Sequence, residues 1–429
     1  MILSFFLSLV LYCEKKHGTG KQLKDYSEQQ APQPPDWAQQ GVIYEIYVRA
    51  FSSEGNFSGV QSRLDYLKDL GVNILWFMPI YPIGEKGRKG TLGSPYAVKD
   101  FRAINPEYGT ADDFRTLVKE IHKRGMKIIL DIVPNHGAND NILTATHPDW
   151  FMRDENGNFT REVAEWSDVI DFNYDNPDMR RYMQETLLYW IREFDIDGYR
   201  CDVAGMVPLD FWKETIPLLR QQKLSLYLLA EWEDPQLLIA GFNSDYDWTL
   251  YHRLKDIRQG NKRTGEAITL VAEKDSLYPQ NSLPMRFLEN HDEQRSLKVF
   301  GIEGINAYAR LIFTLPGIPL IYAGQEIGER ERPSLFEKSV LQWGDKDTAV
   351  YNLYRNLITL RKRYSCFTQG SYTALPALML SGSASAYLRE DDRFAAIVVT
   401  NLTAETANQV MISFSEEIKA RLGKLEFVN

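Results

Sequence analysis

From residue 42 onward the chain alternates short apolar runs with amphipathic stretches. Residues 42–51, 72–78, 126–131, 198–204, 225–231, 283–289 and 318–322 are continuous or nearly continuous apolar runs. Runs of that length, bounded by turn residues, suit strands covered on both faces. Between them, residues 60–70 place Val60, Leu64 and Leu67 on one helical face and stop at Gly71. Residues 111–124 stop likewise at Gly125, and residues 178–194, 209–221, 265–277 and 305–315 continue the helical spacing. Residues 245–257 carry a weaker pattern that holds the sixth strand and its helix. Parallel neighbours need a helical crossover, so eight strands interleaved with helices predict an α/β protein of the (β/α)8, or TIM-barrel, type.

The alternation is interrupted once and then ends. Residues 136–176 are rich in Asn, Asp, Gly and Trp and too long for an ordinary strand-to-helix loop, which predicts a short lobe inserted after strand 3. A helix over 349–364 is followed by short β-prone runs such as 394–400, which predict a small C-terminal antiparallel β domain. The barrel with its lobe takes residues 41–368 and the β domain residues 369–429.

Ahead of the barrel, residues 1–12 are almost wholly apolar and run into Cys13, with Glu14, Lys15 and Lys16 following. A bilayer span needs about 20 apolar residues, so this run is too short for one. Residues 1–13 resemble a bacterial lipoprotein signal in which Cys13 is lipidated, although no basic segment precedes the run and Tyr12 is bulky. That places the protein in the cell envelope, lipid-anchored, periplasmic or secreted; a cytoplasmic location is the alternative. Residues 14–40, rich in Gln, Lys and Pro, read as an extended linker.

Hydrophobic content of 44% and charged content of 25% are those of a globular protein with a large core. A net charge of −9, with no dense Lys/Arg cluster, argues against nucleic acid as a partner. Membrane contact is expected only through Cys13, and the protein is expected to be a monomer. Cys13, Cys201 and Cys366 form no spaced pairs and no zinc-ligand pattern. Cys201 reads as a small buried hydrophobe.

Four strand ends carry polar residues that an inert barrel would not place there. Strand 3 ends Asp131-Ile-Val-Pro-Asn135-His136, strand 4 Arg200-Cys-Asp202, strand 5 Ala-Glu231-Trp232, and strand 7 Glu289-Asn290-His291-Asp292. Arg200 and Asp202, two apart on a strand, share a face. All four ends lie on the carboxyl edge, which in a barrel is one ring around one mouth. Asp202, Glu231 and Asp292 can therefore meet beside Arg200, His136 and His291. Glycoside cleavage uses one ionised and one protonated carboxyl flanking the scissile bond, and this set supplies both types. An arginine within hydrogen-bonding reach favours the charged form of a carboxyl, and nearby negative charge favours the protonated form. Glu233 is a rival acid, since alternation points it the same way as Glu231, but Glu231 lies at the rim. His17, His122, His147 and His252 read as ordinary histidines, and Trp150, Phe151, Trp166 and Phe172 as the small core of the lobe.

Those four regions, in order and on the expected strands, resemble the α-amylase family of glycoside hydrolases (family 13). Residues 93–100 and 105–110 are similar to that family's loop after strand 2, and the resemblance runs from residue 42 to the end. It implies that Asp202 is the nucleophile, Glu231 the acid/base and Asp292 the third carboxylate that grips sugar hydroxyls. It implies substrate-binding roles for Arg200, His136 and His291, and for Tyr96 as the aromatic stacked on the sugar before the cut. The implied activity is retaining hydrolysis of α-1,4-glucosidic bonds in starch, glycogen or maltodextrins. An α-glucan transglycosylase or exo-acting α-glucosidase is the alternative, and a non-catalytic carbohydrate-binding barrel a third reading. The family's Lys-His pair after the nucleophile is replaced by Gly205 and Met206, which puts calcium in doubt. Were calcium present, Asn135 would be its ligand, with Asp168 or Asp171 of the lobe. No cofactor is required for the chemistry.

Overall fold

The computed structural model describes residues 24–378 and 383–422. Eight parallel strands form the ring: β1 (Ile43–Ile46), β2 (Ile74–Phe77), β3 (Lys127–Ile132), β4 (Gly198–Cys201), β5 (Tyr227–Ala230), β6 (Ser244–Asp245), β7 (Met285–Arg286) and β8 (Ile318–Tyr322). The hydrogen-bonded order is β6-β5-β4-β3-β2-β1-β8-β7, and a parallel bridge between Tyr246 and Met285 joins the two edges. Every residue of β1, β2, β4, β5 and β8 is buried, as both-face coverage requires.

Two strands are shorter than their apolar runs. After Ile46 the chain turns into a short helix, Val48–Phe51, rather than extending the strand. Arg49 is buried there and donates to the carbonyls of Leu92 and Gly93. Residues 283–289 pair only at Met285 and Arg286; beyond them Glu289 bonds Arg295 and the Ser296 amide. In both runs a buried charge takes the backbone out of the ladder, a tertiary demand that hydrophobic pattern does not encode.

The excursion after β3 forms a compact lobe on a two-stranded antiparallel ladder, His136–Ala138 against Val169–Asp171. Trp150, Phe151 and Phe172 fill its interior, with Phe151 and Phe172 stacked 4.9 Å apart. Trp166 is not part of that core; it lies over His136, 5.1 Å between ring centres. After the helix Thr348–Arg363, an antiparallel sheet of Ser371–Leu375, Ser385–Glu390 and Ala395–Thr400 follows, with a smaller pair, Ala377–Leu378 and Met411–Ile412.

Residues 1–23, including the signal-like segment and Cys13, lie outside the described residues. The described part of the expected linker is docked rather than extended. The amides of Tyr26 and Ala31 donate to the carbonyls of Leu277 and Gln280, and the Gln280 amide returns to Gln29. Trp37 packs edge-on against Tyr227, and the Asn73 side chain donates to its carbonyl. These partners all sit at or just before the starts of strands, so residues 24–40 cover the amino-terminal end of the barrel. The proline-rich composition that suggested a linker instead fits a segment laid along a surface without forming a ladder of its own.

Candidate active site

Gly198 opens β4 because β5 comes close there: a Cβ at this position would sit 2.0 Å from the Tyr227 carbonyl oxygen. Two residues on, Arg200 projects into the barrel with no solvent exposure. Its Nη1 donates to Asp131 Oδ1 at 2.9 Å and to Asp202 Oδ1 at 2.7 Å, and its Nε to the Tyr246 hydroxyl at 3.1 Å. Its Nη2 lies 2.8 Å from Glu231 Oε1 but off the direction of a hydrogen bond. One guanidinium thus gathers carboxylates from β3, β4 and β5.

Directly after Asp202 the backbone turns left-handed at Val203, with φ 38° and ψ 47°. A β-branched residue pays about 1–3 kcal/mol for that conformation. The turn aims the Val203 amide at Glu231 Oε2, 2.8 Å away, and so fixes the glutamate relative to Asp202. Gly205 follows closely under Trp232, whose ring atoms would lie 2.3–2.4 Å from any Cβ there.

Three carboxylates around one arginine do not cancel. Burial pushes Glu231 up to about 8; Arg200 opposes this, while Asp202 and Asp292 add to it. Asp131 is pushed up to about 7, again by burial first, against Arg200 and with Asp202. Glu231 therefore carries a proton near neutral pH. Burial also lowers His136, which sits neutral with Nε2 4.0 Å from Asp202 Oδ2. His291 behaves oppositely: burial would lower it, but Asp292 and Glu45 outweigh burial and raise it to about 9. Its Nε2 lies 3.2 Å from Asp292 Oδ2, and Asp292 is the most open of the three carboxylates, its side chain 29% exposed. Tyr96 stacks on the His291 ring, 5.2 Å between centres, with the Arg200 guanidinium 5.6 Å from its own centre.

Asp202, Glu231, Asp292, Tyr96, His136, Arg200 and His291 thus come together at one mouth. Glu233 does not join them. It accepts from Lys274 at 2.7 Å and from the Thr249 amide, facing the helix Thr264–Leu277. β5 ends at Ala230, and past its end the strand alternation that paired Glu233 with Glu231 no longer applies.

Of the residues named for calcium, Asp171 keeps a buried Oδ1 with no hydrogen-bond partner among the described residues, whereas Asp168 already faces a cation. Asp168 Oδ1 lies 3.1 Å from the Lys89 ammonium, which also donates to the Glu165 carbonyl. Asp171 Oδ2 accepts the Glu162 amide, and the Asn135 side-chain amide faces His136 Nδ1 at 3.3 Å. Among the described residues no three His, Cys, Asp or Glu side chains converge as a metal site.

Several site residues escaped the sequence reading. Asp131 is quoted in its motif without a role, and Trp76 and Tyr246 fall in predicted spans with none; Trp76 Nε1 donates to Asp131 Oδ2 at 3.3 Å. Glu45, on β1, holds His291 Nδ1 at 2.5 Å. Its signal was available: it is the one charge in residues 42–48, at an inward position.

A parallel barrel whose carboxyl-terminal mouth holds a buried protonated glutamate beside an arginine-bound aspartate is the architecture of a (β/α)8 glycoside hydrolase. The catalytic-domain family of α-amylase matches residues 26–340. The chain is 30% identical over 389 residues to the α-amylase MalA of Haloarcula japonica, covering 86% of this chain but only 56% of that protein. It is 30% identical to α-amylase 3 of Dictyoglomus thermophilum, over 74% of this chain and 70% of that one. Among solved structures, an α-amylase from Lactobacillus plantarum aligns with a TM-score of 0.80 and 38% identity, covering 85% of this chain and 89% of that one. A maltogenic α-amylase, AmyB, from Thermotoga neapolitana aligns with the same score and identity over 85% and 86%. The chain belongs to the α-amylase family of glycoside hydrolases.

Proposed function

We propose that this protein hydrolyses α-1,4-glucosidic bonds of starch, glycogen or maltodextrins with retention of configuration, through a covalent glycosyl-enzyme. The observation that carries the reading is the Arg200 cluster, which brings Asp202 and Glu231 to one guanidinium at the barrel mouth, with burial favouring the protonated form of Glu231. Arg200 engages Asp202 Oδ1, so Oδ2 is the oxygen placed to attack the anomeric carbon. As the C1–O bond to the leaving sugar breaks, Glu231 gives its proton to that oxygen. Water then attacks C1, Glu231 takes its proton, and the C1–Oδ ester opens to regenerate Asp202. Asp292 and the cationic His291 offer an acceptor and a donor to hydroxyls of the distorting ring, and His136 does the same beside Asp202.

The test is incubation with maltoheptaose and with soluble starch, following product length and anomeric configuration. Products of retained configuration, no longer than the input, are expected; inverted product would overturn the roles of Asp202 and Glu231. The steps proposed draw only on side chains of this protein and on water. Attachment to the envelope through Cys13 belongs to the same proposal and rests on the pattern of residues 1–16. A Cys13→Ala variant that still fractionates with membranes would refute it. The protein is further proposed to act as a monomer, which light scattering in solution checks.

A further inference from the structure

We infer that Glu45 is a positioning residue of the active site, an acid built into β1 to keep both ring nitrogens of His291 protonated and to hold the imidazolium facing the sugar. The inference rests on the functional reading above and adds a component to it. Glu45 is fully buried at an inward position of the barrel, level with Trp76 of β2 and Tyr322 of β8. An inward position at this level ordinarily takes an aliphatic side chain. A buried carboxylate costs several kcal/mol unless it is paired. Among the described residues its Oε2 has no hydrogen-bond partner and its Oε1 has one, His291 Nδ1 at 2.5 Å.

The protonation of His291 follows from hydrogen-bond logic. The Tyr96 hydroxyl has a single proton, and it lies 3.0 Å from Asp131 Oδ2 and 2.8 Å from His291 Nε2. Whichever way that proton points, Nε2 also faces the Asp292 carboxylate at 3.2 Å, which only accepts, so Nε2 carries a hydrogen. On the other side Nδ1 meets the Glu45 carboxylate, which only accepts. Both nitrogens are donors, and the ring is a cation wedged between Glu45, Asp292 and Tyr96. A glutamine at position 45 could accept the same hydrogen bond; what it would lack is the charge that makes the cation affordable in a buried site. The other charged and titratable groups around the pair are Arg200 from β4, Asp131 from β3, Tyr246 after β6 and Tyr322 of β8. Arg200 opposes the cation, which leaves Glu45 and Asp292 to sustain it.

The experiment is an NMR titration of protein labelled in the histidine rings, with His291 assigned by its loss in His291→Asn. In the wild type both ring nitrogens of His291 should be protonated at pH 7.5. In Glu45→Gln the midpoint should fall by at least about one unit, tenfold in the protonation equilibrium. In Glu45→Gln the alkaline fall of kcat/KM on maltoheptaose, which Glu231 begins near pH 8, should steepen because His291 then loses its proton in the same range. A neutral His291 in the wild type at pH 7.5 overturns the inference without any variant having to fold. An unshifted midpoint in Glu45→Gln overturns it equally. A wild type inert on maltoheptaose whose His291 nonetheless titrates as described would sink the functional reading and leave the Glu45–His291 coupling standing.

Discussion

Strand β4 carries a buried aspartate just beyond each end, and the two live in opposite electrostatic worlds. Asp197, before Gly198, sits at the amino-terminal base with His122, Lys127 and Lys223 within 2.7–3.1 Å and the Ile128 amide donating to it. Burial works against its charge, yet His122 and Lys223 outweigh burial and hold it down at about 2. Asp202, after Cys201, shares one guanidinium with Asp131 and Glu231, and there the negative groups are in excess. The base uses charge to lock a joint between β3, β4 and two helices. At the mouth burial, helped by the negative charge of Asp202 and Asp292, outweighs Arg200 and favours the protonated form of Glu231. Local surroundings, rather than residue type, separate the structural acid from the reactive ones.

The contrast can be broken most severely at the mouth. Asp202→Asn should lower kcat by about 10⁴-fold or more while circular dichroism and melting temperature stay near those of the wild type. Hydrolysis retained by that variant would remove the nucleophile assignment. Glu231→Gln should cost about 10³-fold on maltoheptaose, a general acid's share. In the wild type kcat/KM should fall as pH rises through about 8, because Glu231 must keep its proton to act. In Glu231→Gln the fall near pH 8 should be absent, leaving only the later one that His291 sets.

At the base the expected signs reverse. Asp197→Asn should leave turnover unchanged and remove about 2 kcal/mol of stability at neutral pH. An acid whose folded pKa is depressed stabilises above its unfolded value and loses that contribution as pH falls through the folded one. The wild type should therefore lose stability between about pH 4 and 2 in a step that the variant lacks, measured by denaturant melts across that range. The smallest effect is expected at the lobe. Lys89→Met, which strands Asp168, should lower the melting temperature by a few degrees at most, since the lysine is partly exposed. A chelator should change neither activity nor melting temperature; a drop in either would return calcium to the site.

The architecture was legible because a barrel writes itself in apolar runs. β2, β4, β5 and β8 fall inside their predicted spans, β3 runs one residue past its own, and even the weak sixth unit appears as Ser244–Asp245 followed by the helix Trp248–Arg258. Ladder length was not legible where a buried charge such as Arg49 or Glu289 pulled the chain aside. For the site, residues at strand ends announced themselves by interrupting apolar sequence, and the seven named from sequence share the mouth. Asp131 and Tyr246 did not, since their parts depend on where a guanidinium arrives from another strand. Val203 left no trace either, because its left-handed backbone appears only once β4 has ended.

The docked segment ahead of β1 also sets the topography of the whole particle. Because residues 24–40 lie across the amino-terminal end of the barrel, the polypeptide enters the catalytic body at the pole opposite the mouth. A glucan entering the mouth therefore meets the end of the barrel that this segment leaves uncovered.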